Sequence, residues 1–249
     1  MICKRATILF AFLVAIPSLL IAGIHKNEQR PTSTDTSLVD FVNPFVGTEG
    51  AGNTFPGPST PFGMVQIGPD TDDSLWATAS GYEYSDKSII GFSMTHLSGT
   101  GIPDLGDFLF MPSIGRPKLV EGTKKNPDGG YRQRYSHNDE QASVGYYQVK
   151  LQDSGVNAEL TCTDRAGLMR FTFPASDSAF VLTDLKHVLW WNTVWSHIRV
   201  LNDSTITGFH LVHGWAKERY LYFAARYSKP FDHFRIMDNG KPVISGRSS

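Results

Sequence analysis

The chain has 249 residues, 41% of them hydrophobic, 19% charged and 12% aromatic, with a formal net charge of −1. That composition excludes a disordered tail, a coiled coil and a collagen-like repeat. The near-neutral balance argues against nucleic acid or anionic lipid as a partner.

Residues 1–23 read as a signal peptide. Lys4 and Arg5 precede an apolar run from Ala6 to Ile24, and the small residues Ala22 and Gly23 close it. The run is long enough to span a bilayer, but Pro17 and the small-residue end favour cleavage, leaving no stable membrane span. Export to the periplasm or medium of a bacterium is therefore expected. Cys3 lies ahead of the apolar run, so it is not placed as a lipid-accepting cysteine. It would leave with the leader, and Cys162 would remain alone, without an intrachain disulfide or a cysteine-based zinc site. Residues 24–37, polar and carrying Pro31, read as a linker to a domain over 38–249.

Between Asn43 and Pro112 the chain is dense in glycine and proline, and few of these residues suit the interior of central strands. Ordering so much glycine is entropically costly, so these loops are where a functional surface is expected. Asp70-Thr-Asp72-Asp73-Ser74 begins like a calcium loop but has Leu75 at the turn position and Gly81 where a bidentate Glu is required. Gly50-Ala-Gly52 and Gly99-Thr-Gly101 lack the third glycine of a dinucleotide loop. Asp104, Asp107, Glu140 and Asp164 are available carboxylates, but glycoside chemistry needs two facing each other across a pocket, and turn capping is the simpler use of each.

From Leu38 the pattern is otherwise that of strands. Tyr147, Val149 and Leu151 alternate with polar neighbours, as do Met169, Phe171 and Phe173. Val156–Thr163 alternates too, with Cys162 on its apolar face as a packing residue. Further β-rich runs, 179–183, 205–212 and 220–227, are separated by turn signals such as Asn126-Pro-Asp-Gly-Gly130 and Asp238-Asn-Gly-Lys241. No helical period is sustained outside the leader, which predicts an all-β fold, a large antiparallel β-sandwich. Asn202-Asp-Ser204 fits the glycosylation pattern but reads more simply as a turn.

A family resemblance is carried by many motifs in one order. They run Asn43-Pro-Phe-Val-Gly-Thr48, Asn53-Thr-Phe-Pro-Gly57, Pro61-Phe-Gly-Met-Val-Gln-Ile-Gly-Pro-Asp70 and Gly81-Tyr-Glu-Tyr-Ser85. Ile90-Gly-Phe-Ser-Met-Thr-His-Leu-Ser-Gly-Thr-Gly101, Gly106-Asp-Phe-Leu-Phe-Met-Pro112, Tyr135-Ser-His-Asn-Asp-Glu140, Gly145-Tyr-Tyr147, Ala158-Glu-Leu-Thr161 and Ser228-Lys-Pro-Phe231 follow. From about Leu38 to Ile236 the sequence resembles the N-terminal domain of glycoside hydrolase family 92, calcium-dependent exo-α-mannosidases acting on mannose-containing glycans.

The resemblance implies a β-sandwich joined to a C-terminal (α/α)6 barrel. That barrel would hold the inverting acid and base and most of the calcium site, leaving no catalytic residue or metal ligand here. With the chain ending at Ser249, the expectation is a fragment or half-enzyme that is inactive alone and prone to self-association. The resemblance places Gly50, Gly52, Asn53, Trp76, His96, Ser98, Gly99 and Thr100 toward the substrate pocket. Trp76 would stack on the leaving-group sugar, where a flat ring suits the C–H face of a hexose; a core tryptophan is the alternative. Asn53 and Met169 stand where many relatives carry His. Trp190, Trp191 and Trp195 form an unusually tryptophan-rich segment, readable as packing or as a second sugar platform. The rival functions are a stand-alone carbohydrate-binding module and a structural half needing a barrel in trans.

Overall fold

The computed structural model describes residues 37–72 and 76–243; the residues read as a signal peptide and nearly all of those read as a linker lie outside the described residues. Within it are β1 (Gly68–Asp70), β2 (Ser88–Ile89), β3 (Gly91–Ser93), β4 (Leu109–Ile114), β5 (Gln133–Arg134), β6 (Glu140–Ser143), β7 (Tyr146–Lys150) and β8 (Asn157–Cys162). Then come β9 (Gly167–Thr172), β10 (Ala179–Asp184), β11 (Asn192–Asn202), β12 (Thr205–His213), β13 (Arg219–Arg226), β14 (Met237–Asp238) and β15 (Lys241–Pro242). Single turns of 3-10 helix are the only helical elements among the described residues, and none is long and apolar enough to cross a membrane. The fold is the antiparallel β-sandwich predicted.

Its layers follow from alternation along β4. Leu109 and Met111 point into a core with Ile67, Phe92, Tyr147, Val149, Ala158 and Leu160, which joins the sheet β1-β3-β4-β10 to the meander β6-β7-β8-β9. Phe108 and Phe110, one residue out of phase, point the other way. With Leu185 they form a second core against Ile198, Leu221, Phe223 and Ala225 of the sheet β11-β12-β13. A strand buried on both faces reads as one unbroken apolar run, which is why Phe108-Leu-Phe-Met111 shows no alternation.

The meander behaves as its sequence predicts. Tyr147 pairs with Leu160 and Val149 with Ala158, all buried, while the neighbouring polar side chains face outward. Cys162 is half-buried on the margin of the first core, a packing position. The glycine- and proline-rich segment, besides its loops, supplies three of the four strands of the central sheet; of its glycines and prolines only Gly68, Pro69, Gly91 and Pro112 lie inside them, few as expected. β11, the longest strand, lies in the tryptophan-rich segment; its two register shifts, one passing over Val194, break the period that would have announced it.

Candidate functional site

Three loops meet at Asn53. Its backbone is left-handed (φ 51°), a conformation Asn tolerates better than most residues. Its carbonyl accepts the Gly99 N–H at 2.7 Å, and its side-chain oxygen accepts the Ala79 N–H at 3.0 Å. One residue thus ties the 43–57 loop to the turn that carries Trp76 and to the 96–101 loop. Thr54 reinforces the junction, its carbonyl accepting the Ser80 hydroxyl at 3.0 Å. Gly52 passes so close to Gly47 that any side chain there would collide with the Gly47 carbonyl.

Of the residues expected at a pocket, Gly50, Gly52, Ser98 and Gly99 are exposed on this junction, and Asn53 and Thr100 are partly covered. Thr100 donates its hydroxyl to the Ile102 carbonyl at 3.2 Å. Trp76 is 52% exposed, which removes the core-tryptophan alternative. His96 is the correction. Its ring is wholly buried, stacked on Phe55 at 4.5 Å, with Nδ1 against the Gln66 carbonyl (2.7 Å) and Nε2 against Asp70 (2.8 Å). The side chain holds the loop from beneath and is not offered to a ligand.

That contact belongs to a buried ionic relay which sequence reading missed. Asp70 receives His96 on one oxygen and His187 Nε2 on the other at 3.1 Å, and His187 Nδ1 faces Glu121 at 2.8 Å. Burial alone would raise the Asp70 carboxyl. The charge of His96 and the hydrogen bonds and charge of His187 outweigh it and hold the carboxyl well below the usual carboxylate range. Burial would likewise lower the His187 imidazole, but hydrogen bonds to Asp70 and Glu121 hold it well above its ordinary value. With an acceptor at each ring nitrogen, His187 is an imidazolium.

The candidate carboxylates are all engaged internally. Asp107 accepts His210 at 2.8 Å, Arg219 at 2.9 Å and Thr95 at 2.6 Å. Asp104 takes Arg219 and the Leu105 and Trp215 N–H groups. Glu140 is buried against the Tyr82 and Tyr147 hydroxyls and His137. Asp164 accepts the Thr60 hydroxyl at 2.8 Å. None is paired across an open cleft as glycoside hydrolysis requires. Among the described residues no group of three or more His, Cys, Asp or Glu is arranged to hold a metal.

The tryptophan-rich segment divides. Trp191 is partly buried and donates its indole N–H to the Pro103 carbonyl at 2.8 Å. Trp195 stands exposed on β11, edge-on to Phe209 at 4.7 Å. Trp190 is 45% exposed and meets Trp76 edge-on, the ring centroids 5.8 Å apart at 82°.

The antiparallel sandwich thus sets an exposed aromatic pair beside glycine-rich loops. The chain belongs to glycosyl hydrolase family 92, matching its N-terminal domain over residues 41–249. It is 55% identical to a family 92 α-mannosidase from Bacteroides thetaiotaomicron, solved in complex with mannoimidazole, with a TM-score of 0.81 over 85% of this chain and 28% of that one. A second solved family 92 glycosyl hydrolase is 28% identical with a TM-score of 0.64, over 77% of this chain and 26% of its own. A secreted glycosidase of Arthroderma benhamiae, uncharacterised, is 32% identical over 163 residues, 65% of this chain and 20% of that protein. The chain thus spans about a quarter of the length of these relatives.

Proposed function

We propose that this chain is the N-terminal domain of an exported exo-α-mannosidase and supplies one wall of its substrate pocket to a C-terminal (α/α)6 catalytic domain. The observation that carries the reading is the exposed Trp76 beside the three loops knotted at Asn53. An indole face covers the apolar side of a hexose, while the surrounding backbone amides and Ser98 can reach its hydroxyls. The chemistry belongs to the barrel: one carboxylic acid protonates the glycosidic oxygen and a carboxylate activates water on the opposite face, inverting the anomeric centre. Calcium, implied by the family, finds no cage among the described residues of this domain, whose own part is to bind and orient the leaving sugar and exclude water.

A second feature supports docking. One face of β11-β12-β13 presents Trp195, Tyr220 and Tyr222, at 56%, 46% and 72% exposure, and clustered exposed aromatics mark interaction surfaces. The purified chain should therefore self-associate, seen as a rising sedimentation coefficient with concentration.

The test is a chimera in which residues 38–249 replace the matching segment of the Bacteroides relative. The chimera should release mannose from α-mannobiose, with the β-anomer appearing first by NMR, and the 249-residue chain alone should release none. Trp76→Ala in the chimera should raise KM for α-mannobiose about tenfold, the size of one lost aromatic platform. Mannose release by the chain alone, or a Trp76→Ala chimera with unchanged kinetics, would overturn the reading.

A further inference from the structure

Trp190 adopts a conformation that its sequence gives no reason to expect. Its φ is +68°, in the left-handed region where a bulky aromatic residue is a true outlier. The Trp191 N–H reaches back to the Leu189 carbonyl at 2.8 Å, closing a three-residue turn around it. A γ-turn with positive central φ is rare and strained.

Such strain survives only where the surroundings over-determine it, and here both flanks are clamped. On one side Leu189 is fully buried, its N–H bound to the Leu105 carbonyl at 2.9 Å. Its side chain fills a socket over Gly81 and Gly106, where a methyl would come within 3.0 and 2.7 Å of Leu189 carbons. Both glycines have positive φ (83° and 75°), so the socket needs glycine for space and for backbone alike. On the other side Trp191 is anchored through its indole to Pro103. The ring of the residue between these clamps is turned outward and stands at 82° to that of Trp76.

We propose that Trp190 is a positioning residue. Its strained turn holds the indole perpendicular against Trp76, which fixes the plane of that ring and so sets the slot that the leaving sugar enters. The proposal rests on the stacking role of Trp76. It goes beyond it in assigning a second residue, on a distant part of the chain, the task of holding that ring still. A lone exposed tryptophan would sample several rotamers and would lose that freedom on binding; an edge contact restricts it beforehand, so less entropy is lost when the sugar arrives. The arrangement acts on binding and not on the charged transition state, so its loss belongs in KM.

Two measurements decide it. In the 249-residue chain, NMR relaxation reads the order of the Trp76 indole N–H, with the resonance assigned by its disappearance in W76F. That order should be near the rigid value of about 0.85 and fall below about 0.6 in W190A, while W190F, which keeps an aromatic edge, holds it. In the chimera, W190A should raise KM for α-mannobiose about fivefold with kcat unchanged, and W190F should stay within about twofold. W190G removes the ring but suits the positive φ. It should match W190A in KM while melting higher, and it carries the same test if W190A does not fold. An unchanged Trp76 order in W190A overturns the proposal, as does a KM that stays put in W190A while W76A raises it. If W76A itself leaves KM intact, the stacking reading fails and the sugar half of this proposal with it. The NMR order then decides separately whether Trp190 holds Trp76.

Discussion

The meander β6–β9 and the loop surface around Asn53 belong to one domain and are held by opposite means. In the meander, alternate side chains such as Tyr147, Val149, Ala158 and Leu160 are removed from water, and each strand's neighbour repeats the pattern. Hydrophobic burial is non-directional and roughly proportional to area, so many sequences with the same alternation would serve. The loops have little apolar surface to bury. They are fixed by a few directional contacts: Asp70 between two imidazoles, Asp107 between His210 and Arg219, and Asn53 across three segments. A surface held this way can keep its outer side chains free for a ligand, at the cost of depending on single residues.

The comparison is broken most severely at the relay. Asp70→Ala leaves the His187 charge buried with only Glu121 beside it, and removing one partner of a buried pair costs about 3–5 kcal/mol. At about 2–4 °C per kcal/mol for a domain of this size, melting should fall by on the order of 10 °C. Amide exchange should rise first in the 79–81 and 96–99 segments. Leu160→Ala in the meander should cost about 2–5 kcal/mol by lost burial and a cavity. Its effect should be uniform, with every protected amide sharing the loss. Equal, uniform loss in both variants would show that the two regions are not held differently.

Acid and alkali sharpen the contrast, because the loop region rests on the buried, ionised His187–Asp70 contact. His187 sits above its ordinary 6.5 in the folded chain, so its stabilisation is full below about that pH and drains away as the pH climbs toward the raised value. Asp70 is depressed below its ordinary 3.8, so its contribution is present above that pH and is lost as the pH falls. Melting should be highest between these limits. On the alkaline side the slope should reach at most about 1.4 kcal/mol per pH unit for this one proton. His187→Gln should lower the plateau and flatten that alkaline limb. A limb as steep as before would mean that another group controls it.

The same division explains what was legible in the sequence. Strands β7, β8 and β9 were readable because alternation is a local, period-two signal, and β10, β12 and β13 because they are β-rich runs set between turn signals. The motif order pointed to the family and to the loops as the surface. What could not be read were the contacts between segments distant in the chain. His187 and Asp70 are 117 residues apart, and no spacing rule links them. His96, inside a motif expected to face a ligand, turned inward because Asp70 and the Gln66 carbonyl both lie beneath it. The positive φ of Trp190 had no glycine or asparagine to announce it.

The smallest effect is the most discriminating. The Asn53 side chain accepts the Ala79 N–H and donates its amide to the Ala51 carbonyl at 3.3 Å, and its backbone is left-handed. Asn53→Ala loses the side-chain bonds, about 1 kcal/mol for each well-formed one, and about 1 kcal/mol or more for forcing a Cβ-bearing, non-bonding residue into that region. Asn53→Gly loses only the side-chain bonds, and against that it frees the backbone of strain while adding entropy to the unfolded chain. Alanine should therefore melt lower than glycine, an inversion of the order expected in a strand of the meander, where glycine is the weaker residue by roughly 0.5–1 kcal/mol. Placing the same pair of substitutions at Gln148, an outward position on β7, supplies that control. In both Asn53 variants the Ala79 amide should exchange faster. The Gly99 amide, whose acceptor is the Asn53 backbone carbonyl, should stay protected in Asn53→Gly if the left-handed turn is kept. An order at position 53 that copies the order at 148 would mean that the junction is held by ordinary packing and not by the geometry of one residue.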